Sequence, residues 1–356
     1  MTASLLALAA SGAGLTSQSY VRDGLVAQFD AIENVGVGQH ESSPLNWKDL
    51  VGTASLPLQT GAFWGERLLD MQKVPHRIYG MPAFRLDSCT TEVVMNLAEG
   101  NPGGYRRIFT VDASQEALYN VYIDQGASSA ALYINGSGPR PGFGTVTWGT
   151  LSVACNTSNC LTYNNPKGYG SGANMSSLGS SVDKDVAACN WTIQGYGGGE
   201  IHGRYSAFRH YNRALDQNEL AHNTLVDKLR FYSFLYRGSG DTTAWADVVW
   251  TKPIQAAAAT PATGFTDYVT IGNATVSVGA DDTVELAGLS LEDGASFAIA
   301  AGGAVTVRQL FVEGVAVPRG VYTAAEGNPT FLIIGKLEKV SDRTCGLSAS
   351  FGNIAA

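Results

Sequence analysis

Gly203-Arg204-Tyr205-Ser206-Ala207-Phe208-Arg209-His210-Tyr211-Asn212-Arg213-Ala214-Leu215, running into Asp216-Gln217-Asn218-Glu219, is the stretch on which the reading of this chain turns. Asp216 can cap a helix, and Glu219 three residues later completes a capping box. Leu220, Thr224, Leu225, Lys228 and Leu229 follow at helical spacing. The run ends near Phe231–Leu235, before Gly238-Ser239-Gly240. This is the one long helix in a chain that otherwise reads as strands. Such a helix is expected to pack across a sheet face or to close its edge.

Upstream, short apolar runs are broken by Gly, Asn, Ser and Pro. Gly24–Phe29, Thr91–Leu97, Arg107–Val111, Leu118–Ile123, Ala130–Ile134, Thr145–Ala154 and Trp191–Tyr196 are strand candidates. Several alternate with period two, the pattern of an antiparallel sandwich or barrel. Downstream, Ala256–Gly264 is low in complexity and reads as a linker. Beyond it Tyr268–Val278, Thr283–Leu289, Ser296–Ile299, Val305–Val312, Gly320–Thr323 and Thr330–Ile334 recur at short, regular spacing. That spacing fits a small jelly roll or a few coils of a β-solenoid. The expected organisation is a leader-like segment 1–19, a sandwich 20–236, a connecting segment and linker 237–264, and a small all-β domain 265–356.

The bulk numbers agree. In 356 residues, 45% are hydrophobic and 15% charged, enough for real cores and too little charge for a disordered chain. The net charge of −8, without a Lys/Arg cluster, speaks against nucleic acid or anionic lipid as partner. Ser4-Leu5-Leu6-Ala7-Leu8-Ala9-Ala10-Ser11-Gly12-Ala13 resembles the apolar core and cleavage region of a secretory signal, but lacks its basic start. The alternative is a packed N-terminal strand. No later stretch has the length of a membrane span, so a secreted or surface location is expected.

Two segments carry a family resemblance. One is Asp23-Gly24-Leu25-Val26-Ala27-Gln28-Phe29-Asp30-Ala31-Ile32-Glu33-Asn34, with Gly36, Gly38, His40 and then Trp47-Lys48-Asp49-Leu50; the other is Gly203–Leu215. Together they resemble the opening and closing strands of bacterial laminin-G-like domains of the concanavalin A-like lectin/glucanase superfamily. The closing segment is the more specific. The resemblance covers about Tyr20 to Phe234 and implies an all-β, two-sheet jelly-roll sandwich. Leu310–Thr323 is similar to the ends of bacterial surface proteins with autotransporter-type repeats, over a short stretch only.

Chemistry-bearing patterns are few. Retaining glucanases of this superfamily carry Glu-x-Asp-x-x-Glu on one strand, and this chain has none. There is no Gly-x-Ser-x-Gly elbow. His40, His76, His202, His210 and His222 form no zinc-binding set. A non-catalytic chain is therefore expected. The resemblance implies calcium near the sandwich rim, with Asp30, Glu33, Asn34 and Asp49 as oxygen ligands. The alternative is that these side chains order the first long loop through bonds to its backbone. Among the five cysteines, Cys155 and Cys160 flank Asn-Thr-Ser-Asn, a spacing that suits a disulfide across a hairpin; otherwise they are small buried apolar residues.

A sugar has one apolar face and many hydroxyls, so its site needs aromatics beside amides and carboxylates. Trp148, Tyr163, Asn164, Asn165, Tyr169 and Asn174 supply that mixture in a Gly/Ser-rich stretch expected to be a loop, and Trp64 and Tyr196 could join them. The alternative for each aromatic is core or rim packing. The function expected is carbohydrate binding or adhesion at a cell surface, with glycans or other surface proteins as partners. The alternative is a structural surface protein that self-associates, and a glycoside hydrolase ranks below both.

Overall fold

The structure is a computed structural model. It describes residues 15–71, 75–97, 106–111, 120–123, 129–133, 142–145, 148–165, 168–174, 185–193, 203–238, 242–251, 261, 267–292, 295–300, 303–312, 315–317, 320–323 and 330–333. The leader-like segment lies almost wholly outside them. The chain divides into two compact units, one spanning Tyr20–Asp227, the other holding everything from Lys228 onward and the residues before Tyr20.

The first unit is an antiparallel β-sandwich of two eight-stranded sheets. The first sheet runs in the order Gly168–Asn174, Asn159–Asn165, Trp148–Cys155, Cys89–Leu97, Gly203–Tyr211, Leu69–Asp70, Phe63–Trp64; Leu25–Asp30 also pairs with Gly203–Tyr211. The second runs Gly142–Thr145, Ser129–Tyr133, Asn120–Ile123, Arg106–Val111, Cys189–Ile193, His76–Met81, Ser55–Pro57, Asn46–Lys48. The opening strand therefore lies against the closing one, with Phe29 opposite Phe208.

Strand alternation sends one set of side chains inward. Phe29, Trp47, Val93, Phe109, Leu151, Trp191 and Phe208 form the core between the sheets. Trp191 stacks on Phe109 at 5.6 Å and meets Phe208 edge-on at 5.6 Å. Phe84 and His210 complete the cluster, His210 bonding Thr91 Oγ1 at 3.0 Å.

The α-helix spans Gln217–Asp227. Asp216 Oδ1 accepts from the backbone N–H of Asn218 and Glu219, and Glu219 Oε2 accepts from that of Asp216. This is the capping box expected from the sequence. The α-helix ends earlier than expected, at Asp227; the chain continues through a π-helical turn, Lys228–Tyr232.

The second unit winds in parallel. Phe234–Tyr236, Tyr268–Ile271, Gly288–Leu291 and Leu310–Val312 stack in one sheet; Thr242–Ala244, Thr275–Val278 and Ser296–Ile299 in a second; Thr283–Leu286, Ala304–Val307 and Thr330–Ile333 in a third. Consecutive strands belong to different sheets, so the chain coils as a β-solenoid; a jelly roll would pair them antiparallel. Val269, Ile271, Val276, Val278, Val284, Leu286, Leu289, Leu291, Val305 and Val307 fill its interior. Among the described residues, Leu310–Val312 also pairs antiparallel with Val315–Val317, and Thr330–Ile333 with Gly320–Thr323. Within the stretch expected as a connection, Thr242–Ala244 joins the coil, and Trp250, 1% exposed, packs against Trp245 at 4.8 Å.

Candidate functional site

At one end of the first sheet, five residues stand side by side on five adjacent strands. Phe63 is opposite Asp70, Asp70 opposite Arg204, Arg204 opposite Asn96, and Asn96 opposite Trp148. Directly opposed residues share a face, with Cβ atoms about 4.5–5.5 Å apart. Phe63 is 52% exposed and Asn96 partly exposed. Arg204 Nε donates to Asp70 Oδ2 at 3.1 Å; the Arg204 side chain is 34% exposed and that of Asp70 1%. Asp70 thus fixes the guanidinium through one N–H. An arginine carries five N–H donors in all, so the plane keeps further donors beyond that bond.

The residues of this row are far apart in sequence, and no local motif links them. Only Trp148 among them is a sugar ligand expected from the sequence; Arg204 stands in the closing segment that carries the family resemblance. The signal for the rest is period-two alternation in strands whose neighbours are set by the fold.

The other candidate sugar ligands are placed differently. The stretch expected to be a loop is the strand pair Asn159–Asn165 and Gly168–Asn174. Tyr163 is 7% exposed and packs with Leu25, Ala154, Tyr211, Leu215 and Leu220. It is opposite Ser152, four residues or about 13 Å along the strand from Trp148. Tyr163 is therefore core packing, not an exposed platform. The side chains of Trp148, Asn164, Asn165, Tyr169 and Asn174, and all of Tyr196, lie outside the described residues. Trp64 meets Trp47 edge-on at 5.7 Å and donates Nε1–H to the Pro44 carbonyl at 3.2 Å.

The expected calcium ligands are engaged by backbone. Asp30 Oδ1 accepts from Ile32 and Glu33 N–H, and Glu33 Oε2 from Gly38 N–H. Asn34 bonds both the N–H and the carbonyl of Glu41. Asp49 accepts from Gln28, Val51 and Ala54. These bonds order the first loop. Among the described residues there is no group of three or more His, Cys, Asp or Glu side chains arranged to hold a metal. Cys155 and Cys160 are joined as a disulfide.

A charged cluster that the sequence did not reveal lies buried on the helix-bearing face of the first sheet. Arg209, Glu92 and Asp227 have side chains 0% exposed. Arg209 Nε donates to Glu92 Oε2 at 2.8 Å, Asn223 donates to the same oxygen and to Tyr211 Oη, and Ser152 Oγ donates to Glu92 Oε1. Tyr20 and Thr150 donate to Asp227, and the Tyr20 ring lies 4.1 Å from the Arg209 guanidinium. Burial raises the Glu92 carboxyl above its usual range, against the pull of Arg209. Burial also works against the Arg209 charge, but Asp227 and Glu92 hold it well above its usual value. Sealed from solvent, the cluster fastens the helix and Tyr20 to the sheet and offers no access to a substrate.

No family model matches the chain, and no curated protein matches its sequence. Solved structures do resemble its fold. The botulinum neurotoxin serotype D binding domain is 9% identical, with TM-score 0.45, over 60% of this chain and 54% of that one. The serotype D ligand binding domain in complex with N-acetylneuraminic acid is 10% identical, with TM-score 0.46, over 60% and 53%. Trypanosoma rangeli sialidase is 13% identical, with TM-score 0.42, over 57% and 32%. The chain thus spans about half the length of the neurotoxin domains and about a third of the sialidase. The expectation of a non-catalytic chain is not upheld: an enzyme, Trypanosoma rangeli sialidase, stands beside binding domains among the similar structures. Among the described residues, no helix is long and apolar enough to cross a membrane.

Proposed function

We propose that this chain binds carbohydrate through the row Phe63, Asp70, Arg204, Asn96 and Trp148. The observation that supports it is their register across five strands. An exposed aromatic ring can take the C–H face of a sugar. The Asp70–Arg204 pair and the Asn96 amide supply acceptors and donors for hydroxyls, and an arginine fork also suits a sugar carboxylate. A rigid sheet holds these groups at fixed spacing, which lowers the entropy lost on binding. The setting that goes with this reading is a secreted or surface laminin-G-like protein.

The test is a glycan array of neutral and carboxylate-bearing sugars, followed by titration calorimetry on any hit. Phe63→Ala and Trp148→Ala should each weaken binding about tenfold, equal to about 1.4 kcal/mol. Asn96→Ala should weaken it less. Nuclear magnetic resonance of the same mixtures reads whether the bound sugar is also turned over. Binding that ignores all three substitutions would remove the row from the proposal. An array without hits, together with a large regular assembly by light scattering, would favour the structural alternative.

A further inference from the structure

Cys89, Cys155 and Cys160 lie abreast on three adjacent strands, with Cys155 in the middle: it is opposite Cys160 on one side and opposite Cys89 on the other. Cys155 and Cys160 are bridged, and Cys89 is a buried free thiol. All three side chains belong to the core between the sheets.

The ladder fixes the spacing on both sides. Asn156 N–H bonds the Asn159 carbonyl at 2.8 Å, closing the hairpin. Hydrogen-bonded and non-hydrogen-bonded pairs alternate along an antiparallel ladder. Cys155 and Cys160 are therefore a non-hydrogen-bonded pair, with Cα atoms 4.0 Å apart. The polar backbone groups of Cys155 then point to the other neighbour, making Cys89/Cys155 a hydrogen-bonded pair, for which the Cα separation is about 5.5 Å. Disulfides commonly span about 4.4–6.8 Å between Cα atoms. A Cys89–Cys155 bridge thus falls within that Cα span, and forming it draws the two Cβ atoms about 1 Å closer than the ladder holds them, onto the sulfur that Cys160 now shares.

We propose that these three residues form a thiol–disulfide exchange site, in which Cys155 is bridged either to Cys160 or to Cys89. In the exchange, Cys89 loses its proton and its sulfur attacks Cys155 Sγ. The Cys155–Cys160 bond breaks, and its electron pair leaves on Cys160 Sγ, which takes up a proton. One disulfide and one thiol stand on each side of the step, so no oxidant is needed. The cross-link moves from the end of a hairpin to the junction with the Cys89–Leu97 strand, and Cys160 becomes the free thiol. Burial, with Asp87 adding to it, keeps Cys89 protonated far above the usual thiol range. Exchange is therefore slow until the strand ends open, and a shared redox buffer accelerates it.

Disulfide mapping by mass spectrometry of the full chain tests this. The wild-type protein is held in reduced and oxidised glutathione, alkylated and digested without reduction. A Cys89–Cys155 peptide is expected beside the Cys155–Cys160 peptide, with alkylated Cys160. The variant Cys160→Ser, in oxidised glutathione, should carry the Cys89–Cys155 bridge in most molecules. The proposal is overturned if the wild-type protein yields Cys155–Cys160 alone, or if Cys89 pairs with Cys189 or Cys345 instead of Cys155. The wild-type arm decides the matter even if the serine variant does not fold.

Discussion

Arg209 and Asp227 meet fork to fork: Nη1 donates to Oδ1 at 2.8 Å and Nη2 to Oδ2 at 2.7 Å, with both side chains wholly buried. Asp227 closes the α-helix, and Arg209 sits on the closing strand of the sandwich. A single bidentate pair thus ties the last helical residue to the sheet. Taking two charges out of water is costly, so the pair tolerates no half measure. Asp227→Ala would leave Arg209 facing Glu92 alone. A loss of about 3–5 kcal/mol is expected on breaking such a pair. Urea unfolding of the variant measures it, and a loss under 1 kcal/mol would show that Arg209 finds another partner.

His210 supplies a pH test. Burial lowers its imidazole from 6.5 to about 3, against a smaller opposing effect of the Thr90 backbone. The unfolded chain therefore binds a proton that the folded chain refuses. The contribution is fully present above the unfolded value and is lost as pH falls towards 3. Between those limits this residue should remove about 1.4 kcal/mol of stability per pH unit. The His210 ring resonances should not titrate at pH 5, and His210→Gln should show a shallower acid slope than the wild type. Equal slopes would contradict the buried neutral imidazole.

The first loop gives a test of calcium. Asp49 accepts three backbone N–H bonds. Asp49→Ala leaves those donors to find water, at a cost of about 1–3 kcal/mol where they are buried. If the loop is ordered by these bonds, the wild-type Tm is the same in calcium and in chelator. A Tm that rises with calcium would instead assign an ion to Asp30, Glu33, Asn34 and Asp49.

In the solenoid, Gly303 is set by a close approach. A Cβ built there would collide with the Gly279 carbonyl oxygen of the preceding coil. Gly303→Val should force the coils apart and cost about 1–3 kcal/mol, as overpacking does elsewhere. Denaturant unfolding reads it; an unchanged midpoint would mean that the coils yield without strain.

The local features were legible from residues alone. Asp216 and Glu219 announce the helix start because a capping box is made within four consecutive residues. The Cys155–Cys160 spacing suggests its bridge because a short hairpin brings its own ends together. Alternation revealed several strands of the sandwich but not the pair Asn159–Asn165 and Gly168–Asn174, whose Gly- and Ser-rich residues read as a loop, and the regular recurrence after Tyr268 kept a solenoid open as one of two choices. Parallel pairing chose between them, and pairing is a property of strands that are distant in sequence.

What the sequence determined by itself was an all-β chain with one capped helix, because short-range periodicity and capping depend on near neighbours. Only the tertiary structure decided that Tyr163 is buried beneath the helix, that Arg209 is answered by Glu92 and Asp227, and that Phe63, Asp70, Arg204, Asn96 and Trp148 form one row. Each of these depends on which strand lies beside which and in what register. Sliding a strand by one residue would turn every one of its side chains to the opposite face, and nothing in a strand's own residues states the register of its neighbour.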